Sequence, residues 1–234
     1  MEKLIYLAWR SPDESADKFR DRLLDIGSSQ LPAVGALGVR LAAADSTVEA
    51  AAPLAQSHLC DAPDALVSLW LESAHGREPA EALLASTSER LCGYSVAESS
   101  PLVVSEEEGA RVEGMNQVVF LQRPERLTRE EWLYTWLELH TPVAIETQST
   151  FAYRQNIVTR ALTPDAPAID AIVEEGFPAA AMTSPLAFYG VETEADMQAQ
   201  LSKMIDSCAR FIDFDKLNVL PTSDYLLKRL APAL

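Results

Sequence analysis

Leu4-Ile5-Tyr6-Leu7-Ala8-Trp9-Arg10 aligns without a gap on Gln117-Val118-Val119-Phe120-Leu121-Gln122-Arg123, and the same register sets Ser15 on Thr128 and Phe19 on Trp132. Further on, Asp64-Ala65-Leu66-Val67 aligns on Asp170-Ala171-Ile172-Val173. Two matches in the same order at nearly the same offset predict an internal duplication, and a duplicated unit dictates architecture ahead of any single motif. A chain of 234 residues has room for two small domains. Between the copies, residues 105–114 are acidic, include Gly109 and Gly114 and hold almost nothing apolar, which is the composition of a linker. The expected division is residues 1–104, a linker over 105–114, and residues 115–234.

Each copy repeats one order of elements. A β-branched and aromatic run reads as a strand at Leu4 to Trp9 and again at Gln117 to Gln122. In the second copy Thr128-Arg129-Glu130-Glu131 has the S/T-x-x-E form, in which the threonine hydroxyl and the Glu131 carboxylate each satisfy an orphan amide at a helix start. Trp132, Leu133, Trp136, Leu137 and His140 follow on one helical face, as Phe19, Leu23 and Leu24 do in the first copy. Phe151 to Val158 and Ile169 to Glu174 have strand length. Met197, Leu201, Met204, Ile205 and Cys208 mark a helix starting near Thr193, and Leu83, Leu84 and Leu91 mark its counterpart from Pro79. Strand-like runs close the halves around Tyr94 to Ala97 and Leu217 to Leu220. The order β-α-β-β-α-β is the split βαβ, or ferredoxin-like, arrangement. The expected fold class is α+β: two ferredoxin-like units packed sheet to sheet as a barrel within one chain, with a small-molecule pocket between the sheets.

Charge narrows the partners. Lys plus Arg number 19 against 35 Asp plus Glu, a net charge of −16 that repels phosphate backbones and anionic headgroups, so neither nucleic acid nor membrane is expected as a partner. The apolar run Leu4 to Trp9 is too short for a signal core or a membrane span, which predicts a cytoplasmic protein. Cys60, Cys92 and Cys208 are odd in number and widely spaced, against a disulfide framework or structural zinc. His58, His75 and His140 are scattered, and no dinucleotide, P-loop, nucleophile-elbow or zincin motif occurs. The expected ligand is a hydrophobic small molecule, with no metal and no cofactor. Further pairing into a homo-oligomer stays open.

The second half carries Trp132, Trp136, His140-Thr141-Pro142, then Tyr153-Arg154-Gln155-Asn156, Ile169-Asp170-Ala171-Ile172 and Phe211-Ile212-Asp213. From about Met115 to Leu227 this combination resembles the EthD family of dimeric α+β barrel proteins. The resemblance implies a barrel and a place in degradative or biosynthetic metabolism. The wider superfamily spans lactone isomerases, polyketide cyclases, cofactor-free monooxygenases and haem enzymes, so fold analogy does not choose a reaction. The first half departs from the pattern, with Gly27 in the register of His140 and Ser68 in that of Glu174, which implies a single asymmetric site.

His140 is the lone histidine on an apolar helix face. Pro142 disfavours helical geometry at Thr141, so His140 is expected close to a helix end. There backbone carbonyls favour the imidazolium and burial disfavours it, leaving a general acid or base near neutrality. A core histidine that ties down the helix end fits the same facts. With a period of two, Asp170, Ile172 and Glu174 share the face expected to line the barrel, while Ile169, Ala171 and Val173 face the helices. Asp170 is then the group that orients His140, and Ile172 and Glu174 contact substrate, although Glu174 also reads as a solvent-facing strand end. Tyr153 and Asn156 lie on opposite faces of a regular strand, so one of them reaches the pocket unless a bulge intervenes. Trp136 joins the binding residues by sharing the His140 face. Arg154, roughly aligned with Arg40, suits a carboxylate or solvent. The leading reading is a cofactor-independent acid/base enzyme, a dehydratase, cyclase or isomerase, for a hydrophobic or aromatic molecule. The alternatives are a non-catalytic carrier and a haem-dependent or cofactor-free monooxygenase.

Overall fold

Short runs rich in apolar, β-branched and aromatic residues form eight principal strands in the computed structural model, which describes residues 1–231. They are β1 (Glu2–Trp9), β2 (Gly38–Ala43), β3 (Ala65–Leu71), β4 (Arg90–Leu102), β5 (Met115–Leu121), β6 (Ala152–Ala161), β7 (Ala171–Phe177) and β8 (Leu217–Lys228). All neighbours are antiparallel, in the order β2-β3-β1-β4-β6-β7-β5-β8, and β8 pairs back onto β2. The result is one closed eight-stranded barrel. A two-residue strand, Gln56–Ser57, pairs with the first residues of β8 beside it.

This overturns the expectation of two ferredoxin-like units packed sheet to sheet. The sheets meet edge to edge instead. β4 continues for 13 residues and pairs with β6 from Tyr94↔Ala161 to Leu102↔Tyr153, and β8 pairs with β2 from Val39↔Lys228 to Ala43↔Ser223. A free strand edge leaves a row of unpaired amides and carbonyls, and closure satisfies both rows at once.

Helices cover the outside. α1 (Ala16–Asp25) is capped by Ser15, whose hydroxyl accepts from the Lys18 amide, and α2 is Glu78–Thr87. α3 (Arg129–Tyr134) opens with the reciprocal Thr128–Glu131 capping box, and α5 (Glu194–Cys208) with Thr193 as its cap. Between α3 and α4 (Thr141–Thr147) lies a π turn, Thr135–His140, in which the Thr141 amide donates to the Trp136 carbonyl. The helix therefore does not end at Pro142. Widening the turn resets the hydrogen-bond register, and Pro142 falls in the first turn of α4, where an amide has no intrahelical acceptor. No helix among the described residues is long and apolar enough to cross a membrane.

The barrel interior is a core, not an open pocket. Ile5, Leu7, Leu66, Val118, Phe120 and Ile172 pack together inside it. Charged groups fill one end. Lys3 Nζ donates to Asn156 Oδ1 at 2.8 Å and stands 3.2 Å from Glu98 and 3.7 Å from Glu174. The Asp224 carboxylate accepts from Arg40 Nη1 and from Arg154 Nη2, both at 2.6 Å. Glu106 pairs with the same two arginines. The acidic stretch 105–114 is thus tied back over the barrel, with the Gly109 amide on the Leu226 carbonyl at 2.7 Å and the Val112 amide on the Asp224 carbonyl at 2.8 Å.

Candidate functional site

A chamber of about 190 Å³ lies outside the barrel, between the outer faces of β5 to β8 and the helices of the second half. Its floor is Gln117, Val119, Tyr153, Val173, Glu175 and Val219, and over it stand Trp136, His140, Met204, Cys208 and Phe211. The period-two pattern places these floor residues here, since Val173 and Glu175 follow Ala171 on the face that packs under the helices.

Glu175 is the anomaly on that face. Its carboxyl is 7% exposed among apolar side chains, and burial pushes its pKa up to about 7, with a hydrogen bond from Gln117 offsetting part of the rise. Burial, and Glu175 itself, push the neighbouring Cys208 thiol up. Tyr153 is raised by burial as well, and its hydroxyl has Trp136 and Gln155 as polar neighbours. The buried Trp136 indole N–H lies beside the Tyr153 hydroxyl but does not reach ordinary hydrogen-bond geometry with it. An apolar chamber thus holds one carboxyl pushed up to about 7 and a buried donor with only a marginal acceptor.

His140 stands at the edge of the same chamber. Its ring lies 4.6 Å from that of Phe211, and Nδ1 is 3.0 Å from Ser207 Oγ. Because the helix runs on past it, no helix-end carbonyls support an imidazolium. Burial, reinforced by Arg210, pushes the pKa down to about 4, so the ring is neutral at neutral pH. This corrects the opposed shifts expected from Pro142. The π turn is anchored from both sides: Thr141 Oγ1 donates to the Trp136 carbonyl at 3.0 Å and accepts from Gln155 Nε2 of β6 at 2.7 Å.

Of the residues singled out from sequence, Trp136, His140 and Tyr153 come together in this chamber. The others do not join them. Asp170 accepts from the Arg123 amide at 2.8 Å in the turn after β5, so Ser207, not Asp170, orients His140. Ile172 is interior core. Asn156 donates to the Ile172 carbonyl at 3.0 Å and to Glu174 at 3.1 Å inside the barrel. Burial works to raise Glu174, yet Arg154 and Lys3 outweigh it and hold the carboxylate ionised. The interior face of β7 therefore carries structural charges, and the outer face carries the site. Glu175 was one residue beyond the strand run read from sequence; an acid in phase with Ala171 and Val173 was the available signal. Ser207, a small polar residue one turn from Met204 on the buried face of α5, was the other.

The first half offers no equivalent space at Gly27. A Cβ there would collide with Leu227 Cδ1, and Leu227 belongs to the dry core under α1 and α2. Gly27→Ala should cost about 1–3 kcal/mol of unfolding free energy by overpacking, with chamber ligands unaffected, as urea denaturation would measure. A neutral substitution would mean that Leu227 moves aside freely.

Among the described residues no group of three or more His, Cys, Asp or Glu is arranged to hold a metal ion. No protein-family model matches the chain, so the EthD resemblance has no support from a family match, and no curated protein matches it in sequence. Its fold is similar to the crystal structure of an anthrone oxidase-like protein, at 11% identity and a TM-score of 0.55, over 100% of this chain and 96% of that one. A structure described as a "putative monooxygenase" from Lactobacillus acidophilus NCFM gives a TM-score of 0.47 at 6% identity, over 97% of this chain and 96% of that one. At such identities the likeness shows fold alone.

Proposed function

We propose that this chain is an enzyme that starts its reaction by removing a proton from an apolar aromatic or enolisable molecule held in the chamber above β5 to β8, with Glu175 as the base. The observation that carries the reading is the Glu175 carboxyl buried among apolar side chains of the chamber, a burial that pushes its pKa up to about 7. A base poised near ambient pH is half ionised there and still basic enough to take a proton from carbon or a phenol. Removal of the proton leaves negative charge on the substrate, and the indole N–H of Trp136, only weakly engaged by the Tyr153 hydroxyl, is a donor for the oxygen on which that charge collects. His140 stays neutral. Its Nδ1 is committed to Ser207, which leaves Nε2 for a ligand. Dehydration, cyclisation and isomerisation of an enolisable substrate each have a route that begins with this step.

A second reading continues from the same carbanion. The neighbour with a TM-score of 0.55 is named for oxidation of an anthrone. With dioxygen as co-substrate, the electron pair released from a methylene carbon goes to oxygen, a carbon–oxygen bond forms, and the abstracted proton completes a secondary hydroperoxide. The remaining hydrogen on that carbon then leaves as a proton while the oxygen–oxygen bond breaks, which expels water and leaves a carbonyl. One methylene and one dioxygen thus become one ketone and one water.

Anthrone in deuterated water at pH 7 tests both readings. The protein should accelerate exchange at the methylene carbon over the buffer rate under argon, and in air it should consume one dioxygen per ketone formed. Exchange without oxygen uptake would remove the oxidation step and leave proton transfer. Tight binding with neither reaction would replace the enzyme by a carrier.

A further inference from the structure

A second space adjoins the chamber at a neck formed by shared side chains. Beyond it lies a groove of about 710 Å³, between the Ser46–Leu54 segment of the first half and the helix Pro185–Tyr189 of the second. Gln56, Gln117, Gln148 and Val219 line both spaces, so the two adjoin. Pro53, Leu54, Met182, Pro185, Phe188 and Tyr189 wall the groove, and among the described residues no charged side chain lines it. The inner chamber alone, at about 190 Å³, is smaller than the roughly 300–1,000 Å³ of ordinary small-molecule sites. The groove reaches that range by itself, and the chamber with the groove stays within it.

We infer that the substrate has two parts: a compact aromatic head that enters the chamber, and a neutral apolar body, an alkyl chain or further ring, that lies in the groove. The inference rests on the proposed site and adds what lies outside it. The neck also has a preference. Gln148 Oε1 is buried without a hydrogen-bond partner, and leaving it so is costly. A hydroxyl on the ligand at the junction of head and body satisfies it. Gln117 is the neighbour of Glu175, so the neck and the base are set by one side chain. A phosphate-bearing carrier is excluded as the bound body, because the groove offers it no cation and the protein's net charge of −16 repels it. Gln56 and Leu54 come from the first half, which gives that half a share in the site although its own helix layer is dry.

Binding of 1-naphthol and 4-hexyl-1-naphthol, followed by calorimetry, tests this without any turnover. In the parent protein the hexyl chain should tighten binding by about a hundredfold, a fraction of what full burial of six methylenes would supply. Met182→Trp fills the groove and should abolish that gain while leaving the dissociation constant of 1-naphthol within about twofold. Leu54→Asp, on the opposite wall, should do the same by placing a charge beside the chain, so a folding failure in one variant does not decide the matter. If 1-naphthol binds and the hexyl chain adds nothing, or its gain survives both substitutions, the two-part substrate is wrong and the chamber stands. If 1-naphthol does not bind, the chamber reading falls and takes the groove with it.

Discussion

Glu175→Gln should lower the rate of proton abstraction by about a hundredfold to ten-thousandfold, the range for losing a positioned base, while the barrel stays folded. The parent rate should climb with pH through about 7, where the carboxyl ionises, and the variant should lose that dependence. Stability should move the opposite way. A carboxyl raised from 4.5 to about 7 on folding is protonated in the native state and ionised in the unfolded chain between those values. The unfolded state then binds fewer protons, so parent stability falls as pH rises across this window and levels off above it. At about 1.4 kcal/mol per pH unit, the glutamine variant should gain on the parent by about 3 kcal/mol between pH 4 and pH 8. His140 acts with the other sign, since its depressed pKa gives stability that is lost as pH falls from 6.5 toward about 4. Parent and variant share that limb, so it cancels in their difference. Urea denaturation at several pH values measures the difference directly. A variant whose stability tracks the parent at every pH would place Glu175 in water, and the base would have to be sought elsewhere.

Asp224→Ala should destabilise the protein by about 3–5 kcal/mol, the scale for removing one partner of a buried ion pair. The carboxylate joins Arg40 on β2 to Arg154 on β6, and all three residues are buried. Burial works to raise Asp224, but the two arginines hold it ionised. Without it, Glu106 and Glu174 are left to face both guanidinium groups. For a chain of this size the melting temperature should fall by about 6–20 °C. Combining Asp224→Leu with Arg40→Met removes one charge of each sign and should recover part of the loss, because apolar replacement of a buried pair is often neutral. A loss below about 1 kcal/mol for Asp224→Ala would show that water reaches this end of the barrel.

Part of the lining of the candidate chamber was legible in the residues. Trp136 and His140 share a helix face by spacing alone, and Tyr153 reaches the same chamber from β6. Asp170 and Glu174 were misdirected for a physical reason. Alternation tells which residues share a face of β7, but the interior face holds an ion network whose partners, Lys3, Arg40 and Asp224, are far away in sequence. A carboxylate on that face therefore stabilises the barrel, and the one on the opposite face, Glu175, is left without a cation. Pro142 misled in a similar way. Its effect on the preceding residue is local and real, yet a π turn, braced by Gln155 from a neighbouring strand, carried the helix past it.

By itself the sequence determined what short-range forces determine. Thr128 with Glu131 and Thr193 start helices where their side chains meet the first free amides, and runs rich in apolar, β-branched and aromatic residues make β1, β5 and β7 strands. These outcomes depend on neighbours within about one turn or one pleat. Tertiary structure alone decided that the sheets close edge to edge, that charge fills the barrel and that the chamber lies outside it. Each of those depends on residues remote in sequence: Lys3 and Asn156, for example, are 153 positions apart and meet only once β1, β4 and β6 are paired. Which face of a strand is costly for a carboxylate is set by the groups packed against it, and those groups are supplied by the fold.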